Sequence, residues 1–120
     1  MSERPEPVVA LFVKAATQRK AEGLVVLDMR AVSSVADFFL ICSGRSTRQV
    51  AAIAEHIQRF LKERGVHAQG VEGMGEGKWV LLDYGNVVVH VFYESVRGFY
   101  DLEGLWADAV RVGWKEDEGG

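Results

Sequence analysis

Two apolar runs, Trp79 to Tyr84 and Val87 to Tyr93, follow each other with only Gly85-Asn86 between them. β-Branched and aromatic residues fill both runs, and each is too short for a helix of ordinary length. A two-residue connection of this composition closes an antiparallel hairpin. Because both runs are apolar on both faces, each is expected in the middle of a sheet with helices packed on either side. A chain of 120 residues, 48% hydrophobic and 26% charged, has the size and balance of one globular domain built on such a sheet.

The rest of the pattern supplies the helices. Val8, Leu11, Phe12 and Ala15 recur at helical spacing after Pro5 and Pro7, which predicts a helix running to about Ala21 with Gly23 as its stop. Leu24 to Leu27 and Phe38 to Cys42 read as buried strands. Ser46 and Gln49 have the spacing of a capping box. Val50, Ile53, Ala54, Ile57 and Leu61 then form one apolar stripe that ends before Gly65. A strand around His67 to Val71 and a glycine-rich connection, Gly73 to Gly77, lead into the hairpin. After Glu94, the residues Phe99, Leu102, Trp106 and Ala109 fit one helical face, which puts Trp106 in the core and Tyr100 off the stripe, facing solvent. The expected fold is α/β (α+β): one mixed sheet of about five strands flanked by helices. Residues 1–110 form the domain, and residues 111–120 read as an acidic, solvated tail.

Charge and cysteine content exclude several functions. The net charge is -3 and the pI about 5.6, whereas a protein that grips a phosphate backbone needs a basic excess for counterion release. Cys42 is the single cysteine, which excludes an internal disulfide and a cysteine-based zinc cluster. No apolar run approaches the roughly 18 residues of a membrane span. The segment Met1-Ser2-Glu3-Arg4-Pro5 has neither an apolar signal core nor an Arg/Ser-rich pattern, so the expected location is the cytoplasm, most simply of a bacterium.

Residues that suggest chemistry lack the partners chemistry needs. Gly73, Gly75, Gly77 and Lys78 do not have phosphate-loop spacing, and Trp79 opens a strand where that loop would enter a helix. Cys42-Ser43-Gly44-Arg45-Ser46 leaves a strand and enters a helix, the place where nucleotidyltransferases use a Gly-Ser element. Those enzymes also need paired carboxylates for metal ions, and the following strands offer only Glu72 and Asp83. Asp28, Asp37 and Asp83 sit near strand ends without metal spacing. His56, His67 and His90 form no ligand motif. His90, between Val88 and Phe92 on one strand face, reads as a hydrogen-bonded, semi-buried histidine, and Cys42 as an inert buried thiol. No nucleophile has a base beside it, and no cofactor or metal is expected. Trp79 at the mouth of the glycine-rich connection and Tyr100 near Gly98 have the residue types and placement of interface hot spots.

The segment Asp37 to Gly44 followed by Ser46 resembles the signature of the ribosomal silencing factor (Iojap) family. Val71-Glu72-Gly73, Trp79 to Gly85, Val87 to Phe92 and Arg97 to Trp106 extend the similarity, in order, across Val8 to about Ala109. The resemblance implies a nucleotidyltransferase-like shape without the catalytic set. It also implies binding to protein fourteen of the large ribosomal subunit, which blocks small-subunit joining under starvation. The family's contact residues carry over to Trp79, Tyr100 and Leu102, then to Asp83, His90, Arg97 and Glu103. Little direct nucleic-acid contact and no membrane contact are expected, and the oligomeric state of the free protein is left open, a homodimer included. The alternative is a divergent nucleotidyltransferase-like enzyme using the Gly44/Ser46 turn, which magnesium-dependent nucleotide binding would reveal.

Overall fold

The computed structural model describes residues 7–114. The chain runs α1 (Pro7–Gln18), β1 (Glu22–Asp28), β2 (Phe38–Gly44), α2 (Thr47–Lys62), β3 (Gly70–Glu72), β4 (Trp79–Asp83), β5 (Val87–Tyr93), α3 (Glu94–Tyr100), α4 (Leu102–Leu105) and β6 (Val110–Arg111). Its strands form one mixed sheet in the order β3-β4-β5-β2-β1-β6. Strands β2 and β5 pair in parallel, and the other neighbours are antiparallel.

Every residue of β2 and all but the last of β5 are buried, so both faces of the sheet centre need cover. On one face lie α1 and α2. The stripe Val50, Ile53, Ala54, Ile57 and Leu61 is fully buried and packs with Leu40, Cys42, Val89 and Val91 of the central strands. Ser46 caps α2 by accepting from the Gln49 N–H at 3.0 Å, while the Gln49 side chain accepts from the Arg45 N–H at 2.7 Å. The reciprocal bond of the capping pair therefore lands one residue earlier than a standard box places it. Gly65 takes φ +81 just past the helix end, and the Val66 N–H closes onto the Leu61 carbonyl at 2.8 Å. The opposite face buries Leu27, Phe39, Ile41, Val88 and Phe92, and among the described residues its helical cover is only α3 and α4.

Five expectations change, each for a local reason. Helix α1 ends at Gln18 because the chain turns at Lys20 (φ 60) and the Ala16 carbonyl collects the N–H groups of Arg19 and Ala21. Gly23 is not the helix stop but lies in β1, where the register with β2 shifts. Strand β3 begins only at Gly70, which pairs with Asp83, the last residue of β4; Gln69 still donates its N–H to the Asp83 carbonyl at 2.7 Å, and His67 and Ala68 lie before the paired register. Strand β4 lies next to the short edge strand and alternates, with Val80 and Leu82 buried and Trp79, Leu81 and Asp83 half-buried. Finally, the single C-terminal helix breaks at Asp101, which takes the left-handed conformation (φ 48).

The boundary drawn after residue 110 does not coincide with a break in the fold. Val110 and Arg111 pair with Asp28 and Leu27 as a sixth strand, and the Val112 N–H donates to the Val26 carbonyl at 2.9 Å. The Trp114 indole donates to the Leu24 carbonyl at 2.9 Å, and its ring packs on the α1–α2 core. Residues 115–120 of the expected tail lie outside the described residues. Trp114→Ala is expected to lower stability by about 2 kcal/mol, less than a fully buried Trp because the ring is only half-buried. Urea unfolding measures it; a solvated tail residue would give no change.

Candidate functional site

The break at Asp101 builds the surface opposite α1 and α2. Its N–H donates to the Arg97 carbonyl at 2.9 Å and closes α3, while its carboxylate accepts from the Gly104 N–H at 3.1 Å and caps α4. Two short helices at an angle cannot share one apolar stripe. Leu102 turns inward and is 9% exposed, whereas Phe99 is 82%, Tyr100 52% and Leu105 72% exposed. Phe99 therefore leaves the core position that the sequence pattern assigned to it. Trp106 is half-buried, its ring meeting Phe39 edge-on at 6.1 Å, so its truncation would cost less than that of a core tryptophan.

Arg97 fastens this cover to the sheet. Its guanidinium donates through Nε and Nη2 to both carboxylate oxygens of Glu103 at 3.0 Å. Nη2 also donates to the Gly23 carbonyl at 2.7 Å, and Nη1 to the Ser43 hydroxyl at 3.3 Å and the Glu22 carbonyl at 3.4 Å. One side chain thus joins α3, α4, β1 and β2, in the bidentate geometry that arginine alone provides. The hydrogen bonds from Arg97 hold the Glu103 carboxyl below its ordinary value. Gly23 makes room for this, because a Cβ there would stand 2.7 Å from Nη1 at a backbone φ of +58.

Trp79 opens β4 on the same face. Its indole Nε1 donates to Nδ1 of His90 at 3.1 Å, and its ring lies 4.9 Å from Tyr100 and 4.8 Å from Phe92. Phe99 meets Tyr100 edge-on at 5.2 Å. Trp79, Val96, Phe99 and Tyr100, with Gly73, Glu76, Lys78 and Ser95, line an open groove of about 530 Å³. Gly73 holds the connection close to this groove, since at φ +88 a Cβ would collide with the Trp79 carbonyl.

The structure brings only part of the sequence-assigned set together. Trp79, His90 and Tyr100 form one contiguous cluster, and Arg97 and Glu103 are bound to each other. Leu102 is buried beneath the cover, and His90, 4% exposed, is buried under the rings of Trp79 and Phe39. Asp83 lies at the far end of β4, where its carboxylate accepts from the Gly85 N–H at 2.8 Å. That end is roughly 13 Å from Trp79 at the rise of a strand. Phe99 and Leu105 are exposed residues that the sequence reading missed. The signal for them was Asp101, a helix-capping residue inside an apparently continuous helical pattern.

The other candidates are occupied internally. Burial pushes the Cys42 thiol up to about 12. The Gly44/Ser46 turn spends Ser46 and Gln49 on capping α2. Among the described residues no group of three or more His, Cys, Asp or Glu is placed to hold a metal ion, and no helix is long and apolar enough to cross a membrane.

A family model described as "Ribosomal silencing factor during starvation" matches residues 2–119. The chain belongs to the ribosomal silencing factor family. A family member from Halalkalibacterium halodurans, named ribosomal silencing factor, is 45% identical over 107 residues, 89% of this chain and 92% of the relative. A crystal structure of a Chromobacterium violaceum protein superimposes with a TM-score of 0.81 at 38% identity, covering 92% of this chain and 88% of that one. A mouse protein named mitochondrial assembly of ribosomal large subunit protein 1 is 29% identical over 101 residues, 82% of this chain and 44% of its own length.

Burial makes His90 a stability sensor. It pulls the imidazole down to about 4 from an ordinary 6.5, so below pH 6.5 the unfolded chain takes up a proton that the folded chain refuses. Stability is therefore complete above that range and falls as the pH drops toward 4. Between pH 7 and 5 the loss from His90 is expected to be about 2 kcal/mol. His56 is shifted in the same direction, also chiefly by burial, so the His90 share is read as the difference between wild type and His90→Phe in urea unfolding at the two pH values. Equal pH slopes in the two proteins would contradict it.

Proposed function

We propose that this chain represses translation by binding the large ribosomal subunit and preventing the small subunit from joining it, chiefly under starvation. The observation that carries the reading is the exposed pair of rings Phe99 and Tyr100, in contact with each other and with Trp79. A contiguous apolar surface of this kind marks a protein interface, and its aromatic residues are the type that dominates binding energy. A net charge of -3 supports a protein partner over ribosomal RNA. The sequence resemblance names protein fourteen of the large subunit as that partner, and the mouse relative's name supports the same subunit. Trp79, Tyr100 and Phe99 make the contact. Leu102, Arg97 and Glu103 hold the contact surface in place from beneath, and Asp83 shapes the hairpin at the other end of the strand.

The mechanism requires occupation alone, with no catalytic step, and the proposed site of action is the cytoplasm. A body seated where the small subunit docks excludes it by mass action. At 100 times Kd this lowers joining by about 2.7 kcal/mol, roughly a hundredfold.

Excess purified protein is expected to keep separated subunits apart and to co-sediment with the large one alone; undiminished yields of joined ribosomes at saturation would contradict the proposal. Raising salt from 50 to 200 mM should weaken binding far less than the about 10³–10⁵ of a multi-phosphate contact, and a loss of that size would identify RNA as the main partner. Tyr100→Ala, at an exposed position, is expected to weaken large-subunit binding by roughly thirtyfold, worth about 2 kcal/mol, with little change in melting temperature. Unchanged affinity, measured by sedimentation, would remove Tyr100 from the interface.

A further inference from the structure

His90 is costly where it stands. It is 4% exposed, it is neutral because burial disfavours its charge, and its Nε2 has no hydrogen-bond partner among the described residues. An indole N–H can only donate, so the bond from Trp79 requires Nδ1 to accept and places the imidazole proton on Nε2. A buried N–H without a partner is unfavourable, and a phenylalanine of similar shape would avoid the cost. The surroundings need no polar group: Phe39 meets the imidazole edge-on at 4.7 Å, and Phe92 lies parallel to it at 6.3 Å. Packing alone therefore does not account for a histidine here.

What the histidine supplies is a fixed acceptor. Trp79 begins β4 beside the glycine-rich connection and is only half-buried, so packing does not enclose its ring on every side. The bond to Nδ1 fixes the indole plane, and that plane carries Tyr100 at 4.9 Å. Tyr100 in turn sits against Phe99. One buried acceptor thus sets the order of three rings at the surface.

We propose that His90 is a positioning residue, whose Nδ1 holds the Trp79 indole against Tyr100 so that the aromatic face is assembled before a partner arrives. This rests on the docking role given to that face above, and it replaces the direct contact that the sequence resemblance assigned to His90. Preassembly saves the ordering cost of the rings at binding, so its loss lowers affinity without removing any contact atom.

The indole N–H signals of the three tryptophans in ¹⁵N-labelled protein test the proposal, with the Trp79 signal identified by Trp79→Phe. In the wild type, long-range ¹⁵N spectra should show His90 protonated on Nε2; protonation on Nδ1 would overturn the proposal without any variant. His90→Phe should shift the Trp79 signal and speed its solvent exchange at least tenfold, while leaving Trp106 and Trp114 in place and the melting temperature equal or higher. His90→Gln, which keeps an acceptor, should restore the Trp79 signal at least in part. A Trp79 signal unmoved in His90→Phe, or all three indoles moving with a fall in melting temperature, would reduce His90 to packing. Large-subunit affinity should fall about tenfold in His90→Phe. Normal binding by His90→Phe alongside weakened binding by Tyr100→Ala would show that the ring order does not matter to the partner, and overturn the preassembly. If both variants bind normally, the docking reading falls, while the indole spectra still decide whether His90 holds Trp79.

Discussion

Strands β2 and β5 pair in parallel at the centre of the sheet, and their burial on both faces governs what is packed around them. A parallel pair of this kind cannot leave a face in water without exposing a row of valine, leucine and phenylalanine side chains. One face receives α1 and the sixteen-residue α2, whose stripe covers it fully. The other receives α3 and α4, of seven and four residues. So short a cover spends Leu102 on the sheet and has nothing further to lay over Phe99, Tyr100 and Leu105. The exposed aromatic surface follows from this unequal division of cover.

A cover this small needs an attachment beyond its own apolar area. Arg97 provides it, with donors to Glu103, to the carbonyls of Glu22 and Gly23 and to Ser43. Because its side chain is only 14% exposed, these bonds are sheltered from the solvent screening that makes surface pairs nearly worthless. The same arrangement removes Arg97 and Glu103 from the pool of free charges that could meet a partner. The centre of the surface is then the rings of Phe99, Tyr100 and Trp79, with Glu76, Lys78 and Ser95 along the groove, which suits the proposed action by occupying another surface. Its polar components, the Trp79–His90 bond and the Arg97 cluster, organise that surface from underneath.

The central hairpin, the capped α2 and its buried stripe were legible in the sequence because local signals and tertiary packing agree there. Ser46, Gln49 and Val50 to Leu61 state the helix start, its face and its burial in consecutive residues. Agreement fails after Glu94. Phe99, Leu102 and Trp106 keep helical spacing, yet Asp101 interrupts the helix, and that one left-handed residue rotates Phe99 out and Leu102 in. The exposure of Tyr100 could be read because it lay off the stripe whether or not the helix broke. Pairing between distant residues leaves a weaker trace. Nothing near Arg97 announces Glu22 or Gly23, and nothing near Trp114 announces Leu24. The family resemblance pointed to Trp79, Tyr100 and Leu102 together, but only the packed structure separates the exposed Tyr100 and the half-buried Trp79 from the buried Leu102.

The central claim is that the α3–α4 face, and not the α1–α2 face, is the one that meets the large ribosomal subunit. Hydrogen–deuterium exchange of the protein, free and bound to purified large subunits, addresses it directly. The account predicts added protection at the amides of α3, α4 and the connection from Gly73 to Trp79, with α1 and α2 unchanged. Protection confined to α1 and α2, with the aromatic face exchanging as in the free protein, would contradict it.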